Sequence, residues 1–583
     1  MSELVNRSRG TGARPWLVAW LVPVLVGLAA CQAPEADQPA QEEASADEDA
    51  TPADEDPTVD EASEDPEAAE PGTVIQDVQL VDGTGAPARP ASVRIVQDLV
   101  AEVASPEDLE PGPADSVVEG EGRVLAPGFI DTHSHHDEGL RGHGDALAAV
   151  SQGITTIVVG QDGSSNLPVS KFFEGLEKDP PAVNVASFTG HSTLRRKVME
   201  NRFQPANPEE LEAMGEILRE ELEAGSLGLS TGLEYVSGIY ADTDELVALA
   251  RVVSEHGGRY ATHMRSEDRR LEEAIGETLE VGRRAEVPVH ISHFKLGMAG
   301  LWGEAGRFLD MLDEARAEGI EVTADVYPYT FWQSNMSLLF SGMDPEDPDA
   351  ARTVLEKLVP AEDIRITRYE PEPKLEGRTI AQVADTQELE PADALVDLVK
   401  RTRKEDPPLA HGVQAEAMDE GDVARLLTWE HTNVASDGGL MGAHPRGFGT
   451  YPRVLSRFVR QRGDLELEEA IHKMTGLAAE NAGLANRGVV EPGAPVDLVL
   501  LDPEVVEDRA TPGSPHQVAK GIDRVWVAGE VVYTGDGETT GSRPGQVLRG
   551  TGVEGYAAGT QAPGREGLAL RVGAAEALRG ALD

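Results

Sequence analysis

The stretch Val124-Leu-Ala-Pro-Gly-Phe-Ile-Asp-Thr-His-Ser-His-His-Asp137 carries an apolar strand pattern straight into a histidine pair. Residues two apart in a strand project to the same side, so His133 and His135 are expected to converge on one point. Neutral imidazole is the commonest protein metal ligand, and a strand ending in His-x-His supplies two legs of a metal site open to a pocket. A histidine-rich loop after a buried strand would look the same over these residues. The rest of the chain decides between them.

After Ile130 the sequence alternates apolar strand runs with helical patterns. The runs are 155–160, 182–188, 226–231, 259–264, 287–293, 320–327 and 433–437, with helical stretches at 208–224, 242–256, 268–285 and 304–318 between them. With the opening strand this predicts eight parallel strands: an α/β fold built as a (β/α)8 TIM-like barrel over 124–487, with functional groups at the carboxyl ends of the strands. The region 337–430 is too long for a simple connection and predicts an inserted lid or subdomain after the seventh strand. Short β-rich runs at 73–81, 91–96, 497–501 and 524–533 predict a small β-sandwich satellite built from both chain ends, 73–123 plus 488–550, leaving 551–583 as a tail.

Polar residues fall where a barrel places its chemistry. His133 and His135 follow the first strand, Asp162 the second and Glu234 the fourth. His263 ends the fifth, His293 the sixth and Asp437 the eighth. Four imidazoles and several carboxylates at one barrel mouth form a nitrogen and oxygen donor set suited to zinc or a related divalent metal, one or two ions.

The amino terminus reads separately. Arg7, Arg9 and Arg14 precede the apolar run 16–27, and Leu28-Ala-Ala-Cys31 closes it. This predicts a lipoprotein signal peptide over 1–30, with lipidation of Cys31 as a membrane anchor on an exported bacterial lipoprotein, on the periplasmic side or at the cell surface. Cys31 is the single cysteine, so intramolecular disulfides and cysteine catalysis are excluded. From Gln32 to Gly72 there are sixteen acidic residues and no Lys or Arg, the composition of a disordered spacer. The formal net charge of -54 repels phosphate backbones and excludes nucleic acid as a partner.

The motifs Pro127-Gly-Phe-Ile-Asp-Thr-His-Ser-His135, Thr262-His-Met-Arg-Ser-Glu267, Ile291-Ser-His-Phe-Lys295, Tyr327-Pro-Tyr-Thr330, Ser436-Asp-Gly438 and His444-Pro-Arg446 resemble those of the metal-dependent amidohydrolases, and within them the N-acyl-D-amino-acid deacylases, or D-aminoacylases. The resemblance runs from about residue 73 to 535. It implies metal ligation by His133, His135, His263, His293 and Asp437, with Asp437 as general base and then general acid. It also implies that Lys295, Tyr327 and Arg446 hold the free α-carboxylate of a small N-acyl amino acid substrate, in keeping with the fit of a cation and a guanidinium to a carboxylate. The implied reaction is hydrolysis of a linear amide C–N bond. A cyclic-amide or isoaspartyl-dipeptide hydrolase on the same scaffold, or a catalytically inactive surface lipoprotein, are the alternatives.

One departure stands out. Where the D-aminoacylases carry a metal-binding cysteine in a Gly-Asn-Cys-Gly turn, this chain has Gly160-Gln-Asp-Gly163, with Asp162 in the cysteine's place. A carboxylate is a harder ligand than a thiolate. No strand-four lysine is present to bridge two metals, and Glu234 lies in that region instead. Either Asp162 or Glu234 is left as the bridge.

Overall fold

Two parallel ladders make the barrel wall in the computed structural model, which describes residues 70–403, 409–535 and 537–551. Phe129–Asp131, Ile154–Val159 and Asn184–Ser187 form one; Thr189–Gly190, Gly228–Gly232, Arg259–His263, Val289–Ile291, Val322–Val326 and Thr432–Val434 form the other. Asn184–Ser187 pairs with the second strand and Thr189–Gly190 with the fourth, so these are two halves of one third strand, interrupted at Phe188. The wall therefore has the eight strands expected. It closes between first and last strands, where His135 N–H donates to Gly438 O and Asp437 N–H donates to His133 O, both at 2.8 Å.

Ile154–Val159 is buried along its whole length, as parallel strands covered on both faces must be. The helices outside are set by local signals. Pro208–Glu223 starts at Asn207, whose side chain accepts the Glu210 N–H while Glu210 accepts the Asn207 N–H, with proline at the first position. Thr243–Glu255 is capped by Asp242 in the same sense.

The opening stretch differs from expectation. Val124–Pro127 and Phe129–Asp131 are two strands in two sheets, and both histidines lie in the turn beyond the second. The joint is Gly128, where a Cβ would sit 2.2 Å from Thr155 Cγ2 and Oγ1. The two histidines are aligned by the barrel-closing hydrogen bonds, not by strand alternation.

Val124–Pro127 belongs to the satellite. The sheet order is Glu530–Tyr533, Ile522–Val527, Leu498–Leu501, Val124–Pro127, Thr73–Leu80, Arg89–Val96 and Leu99–Ala104, with Ser116–Glu119 also on Thr73–Leu80. Ile75, Val93, Leu125, Leu498 and Trp526 are part of a core of its own in this β-sandwich. The run 545–550 lies instead along the third barrel strand: Val185 N–H donates to Gln546 O at 2.9 Å and Leu548 N–H to Val185 O at 2.8 Å.

The insertion has its own sheet and core. His411–Glu416 is central, flanked antiparallel by Phe331–Ser334 and Ile364–Tyr369, with helices Pro348–Thr353, Ile380–Gln387 and Pro391–Thr402 packed around Phe340, Ile366, Leu395 and Val413. Its first strand thus precedes residue 337. Glu420–Thr428 returns to the barrel core through Val423 and Leu427, so the insertion ends before 430.

Residues 1–69, with the signal, Cys31 and the acidic spacer up to its last three residues, and the tail beyond 551 lie outside the described residues; Gly72, at the end of the expected spacer, already joins the fold by donating its N–H to Asp115 at 2.7 Å. Among the described residues, no helix is long and apolar enough to cross a membrane.

Candidate active site

Every predicted ligand position reaches the mouth of the barrel, and the side chains sort into groups. His133, His135, Asp162 and Asp437 bring ligand atoms within 4.8 Å of one another; so do Asp162, His263 and His293, and so do Glu234, His263 and Glu267. Asp162 belongs to the first two groups. Its Oδ1 is 3.3 Å from His293 Nε2 and 3.5 Å from His133 Nε2, and its Oδ2 is 3.6 Å from His135 Nε2. Oδ1 thus faces one histidine of each pair, His133 and His293, and Oδ2 faces His135.

Glu234 has a different relation to the site. His263 turns Nδ1 toward His293 Nε2 at 3.1 Å and its other nitrogen, Nε2, toward Glu234 Oε2 at 3.2 Å. Glu234 Oε1 also accepts the Ser341 hydroxyl at 3.2 Å. A carboxylate on the far nitrogen fixes the tautomer and the ring plane of a ligating histidine. His293 is held in the same way, with Nδ1 facing Lys295 Nζ at 2.7 Å and Glu267 Oε1 at 3.0 Å.

Three groups emerge that the strand-end reading passes over. Glu267 chelates Lys295 Nζ at 2.7 and 2.8 Å. Asp325 accepts from the His293 backbone N–H and from His290 Nε2. Tyr235 packs its ring on His263, centroids 4.6 Å apart. Glu267 closes the motif Thr262-His-Met-Arg-Ser-Glu267, and a carboxylate in the buried strand Val322–Val326 is a signal for Asp325.

Both ring nitrogens of His133 are buried without a hydrogen-bond partner among the described residues. Burial pushes its pKa down, toward the neutral ligand form. Burial acts the same way on His293 and Lys295 repels its proton too, yet Glu267, Asp162 and Asp437 raise it to about 10. Asp437 is pushed up by burial but held well below the ordinary carboxylate range by Arg446 and the histidines. Imidazoles that burial would keep neutral thus face ionised carboxylates, and the donor set fits a divalent cation that satisfies both.

The backbone is committed as well. Asp162, His293 and Asp437 have φ of 54°, 37° and 47°. Left-handed geometry costs a non-glycine residue about 1–3 kcal/mol and persists where surroundings over-determine it. Here the His293 N–H is bound by Asp325 and the Asp437 N–H by His133 O.

Beside the ligands lies a cavity of about 740 Å³, lined by His135, Asp437 and Arg446 on the barrel side and by Gln333, Thr367, Arg368 and His411 of the insertion. Arg446 Nη1 contacts Asp437 Oδ2 at 2.7 Å, and its guanidinium lies 4.8 Å from the Tyr327 ring centroid. Tyr327 Oη is buried with no partner among the described residues. Lys295 Nζ lies 5.8 Å from the Tyr327 ring centroid and is also engaged by Glu267 and His293.

An eight-stranded barrel whose mouth gathers histidines and carboxylates in this way is the architecture of a metal-dependent hydrolase. The amidohydrolase family pattern matches residues 116–369 and 378–533. An N-acyl-D-glutamate deacylase of Alcaligenes xylosoxydans xylosoxydans is 36% identical over 500 residues, 82% of this chain and 96% of that protein. The structure of N-acyl-D-glutamate deacylase from Bordetella bronchiseptica, complexed with zinc and a phosphonate mimic of the tetrahedral intermediate, matches with TM-score 0.73 at 34% identity, covering 82% of this chain and 100% of that one. A D-aminoacylase structure described for its binuclear metal centre matches with TM-score 0.72 at 35% identity, over 82% of this chain and 99% of that one. This chain belongs to the amidohydrolase family, within its D-aminoacylase group.

Proposed function

We propose that this protein hydrolyses N-acyl-D-amino acids to the D-amino acid and a carboxylate, with zinc as its cofactor. The observation that carries the reading is Asp162 standing between two histidine pairs, with Asp437 at the cavity edge. His133, His135, Asp162 and Asp437 would hold one zinc, and His263 and His293, with Asp162 also within reach, a second. Glu234 Oε2, 3.2 Å from His263 Nε2, is placed to orient that ring.

Bound zinc supplies an acidified water and a Lewis-acid contact for the amide carbonyl. Asp437 takes the proton of the attacking water as the new C–O bond forms and delivers it to the nitrogen as the C–N bond breaks. Arg446 keeps that carboxylate ionised until it is needed. Arg446, with donors beyond Nη1, and the unpartnered Tyr327 hydroxyl hold the substrate α-carboxylate. Lys295, closed in by Glu267 and His293, orients the histidine.

The test is turnover by the zinc-loaded enzyme of N-acetyl-D-amino acids, their L-enantiomers, dihydroorotate, hydantoins and β-aspartyl dipeptides. Hydrolysis of the N-acetyl-D compounds is expected; activity confined to the rings or dipeptides overturns the reading.

We further infer export and attachment to a membrane through lipid on Cys31. The support is the basic start, the apolar run and Leu28-Ala-Ala-Cys31, followed by the acidic spacer. Cys31→Ser should move the protein from the membrane fraction to the soluble one; continued retention would indicate an uncleaved helix.

A further inference from the structure

The inserted subdomain reaches the cavity with a strand whose alternation is broken. In Ile364–Tyr369 the residues Ile364, Ile366 and Tyr369 are buried in the insertion core, while Arg365 and Arg368 are exposed. The register against His411–Glu416 shifts between Ile366 and Arg368: Ile366 faces Val413 and Arg368 faces Gly412, leaving Thr367 as the extra residue of a bulge. Such bulges re-aim side chains beside binding sites. Here two successive side chains, Thr367 and Arg368, line the same cavity as Asp437. Gly412 opposite makes the room, since a Cβ there would lie 2.8 Å from Thr367 Oγ1.

These groups have no internal use. The other arginines of the insertion are engaged: Arg352, Arg401 and Arg403 in ion pairs, Arg365 with Gly377 O and Arg378 with Thr386. Arg368 has no hydrogen-bonding or ionic partner for its guanidinium among the described residues. That is notable in a chain with 104 acidic residues. Thr367 Oγ1 and Gln333 Oε1, both on the cavity wall, are buried and equally unpartnered. Of the nearby carboxylates, Glu376 accepts the Tyr369 N–H at 2.9 Å and Asp437 is paired with Arg446. Glu138 stands on the barrel side of the cavity, next to the metal-site loop.

We propose that the Thr367–Arg368 bulge is an anion subsite that binds a second carboxylate of the substrate, remote from the scissile amide. The inference rests on the deacylase reading. It makes Arg368 a specificity-determining residue, with Thr367 donating its hydroxyl alongside the guanidinium. The second carboxylate has two sources, the amino-acid side chain, as in an N-acyl-D-glutamate, or a dicarboxylic acyl group.

The experiment compares kcat/KM for N-acetyl-D-glutamate, N-succinyl-D-leucine and N-acetyl-D-leucine in the wild type, Arg368→Ala and Arg368→Lys. In Arg368→Ala, the ratio of one of the two dianionic substrates to N-acetyl-D-leucine should fall at least tenfold, mainly through KM, with partial recovery in Arg368→Lys. The affected substrate identifies which end of the molecule reaches the bulge. Ratios unchanged for both overturn the proposal. Glutarate binding measured by calorimetry gives an independent reading: Arg368→Ala should weaken it at least tenfold. If the wild type cleaves none of the three, the deacylase reading falls, and the glutarate titration still decides whether Arg368 holds a carboxylate. Equal metal content and melting temperature show that the variants are folded.

Discussion

Nη1 of Arg446 and Oδ2 of Asp437 are 2.7 Å apart, with both side chains only 9% exposed. Arg446 therefore faces the Asp437 carboxylate as well as the cavity. Replacing Arg446 with Met removes the cation that opposes burial at Asp437, so its carboxyl must rise. The acidic limb of the kcat/KM profile should move to higher pH, since activity needs the ionised form, and KM should increase about tenfold or more from the lost carboxylate contact. A raised KM with an unmoved limb would assign Arg446 to substrate alone.

Asp437→Asn keeps the shape but loses the proton acceptor. We expect kcat to fall by about 10²–10⁴, the range that positioned proton transfer contributes. Metal content measured in parallel separates this from loss of zinc. Activity near the wild-type level would remove Asp437 from the chemistry.

The roles of Asp162 and Glu234 separate by metal analysis. Asp162→Ala should lower the number of zinc ions retained on dialysis. Glu234→Gln should retain the number at saturating zinc while weakening affinity by about 10–100-fold, as expected for the partner of a ligating histidine. The reverse pattern would make Glu234 the bridge. Chelation of the wild type should abolish activity and lower its melting temperature, and added zinc should restore both.

Glu245 gives a prediction in pH. It is buried, and burial alone would raise its carboxyl. Hydrogen bonds from His191 Nε2, Arg195 and the Ala206 N–H instead bring it to about 2, from an ordinary 4.5. A depressed carboxyl contributes stability that is complete above its unfolded value and lost as pH falls toward its folded value. Glu245→Gln, which leaves Arg195 buried without its counter-charge, should cost about 3–5 kcal/mol near neutrality. The deficit should shrink between about pH 4.5 and 2. Urea unfolding across that window checks it, and a constant deficit refutes it.

At Gly128, a methyl group would meet Thr155 at 2.2 Å. Gly128→Ala should destabilise by about 1–3 kcal/mol, as overpacking does, and Thr155→Gly in the same chain should recover much of the loss. Melting temperatures of the single and double variants measure the coupling.

The barrel and the residues gathered at its mouth were legible because periodicity marks βα units and because histidine and carboxylate at strand ends are few in kind. The orientation of each ligand was not. Glu234 and Asp162 are both carboxylates just past a strand, and the sequence does not tell that Asp162 faces His133, His135 and His293 while Glu234 faces His263. Val124–Asp131 reads as one strand because residues buried in either sheet are equally apolar, and one glycine does not announce a change of sheet. The insertion was visible as excess length, but Phe331–Ser334 follows Tyr327-Pro-Tyr-Thr330 without a break in pattern. The Thr367 bulge leaves no composition signal: it exists only as a slip of register against a strand some forty residues later.

The satellite sheet joins Val124–Pro127 to Leu498–Leu501, pairing Leu125 with Leu500 across almost the whole folded chain. So distant a pairing forms late, because loop closure must precede it. The strand that precedes Gly128 and the histidine turn therefore lacks this neighbour until residue 501 has been made. The satellite acts as a clasp fastened at the end of folding, and a chain stopped before Leu498 would leave one edge of Val124–Pro127 bare, with only Thr73–Leu80 paired on the other side.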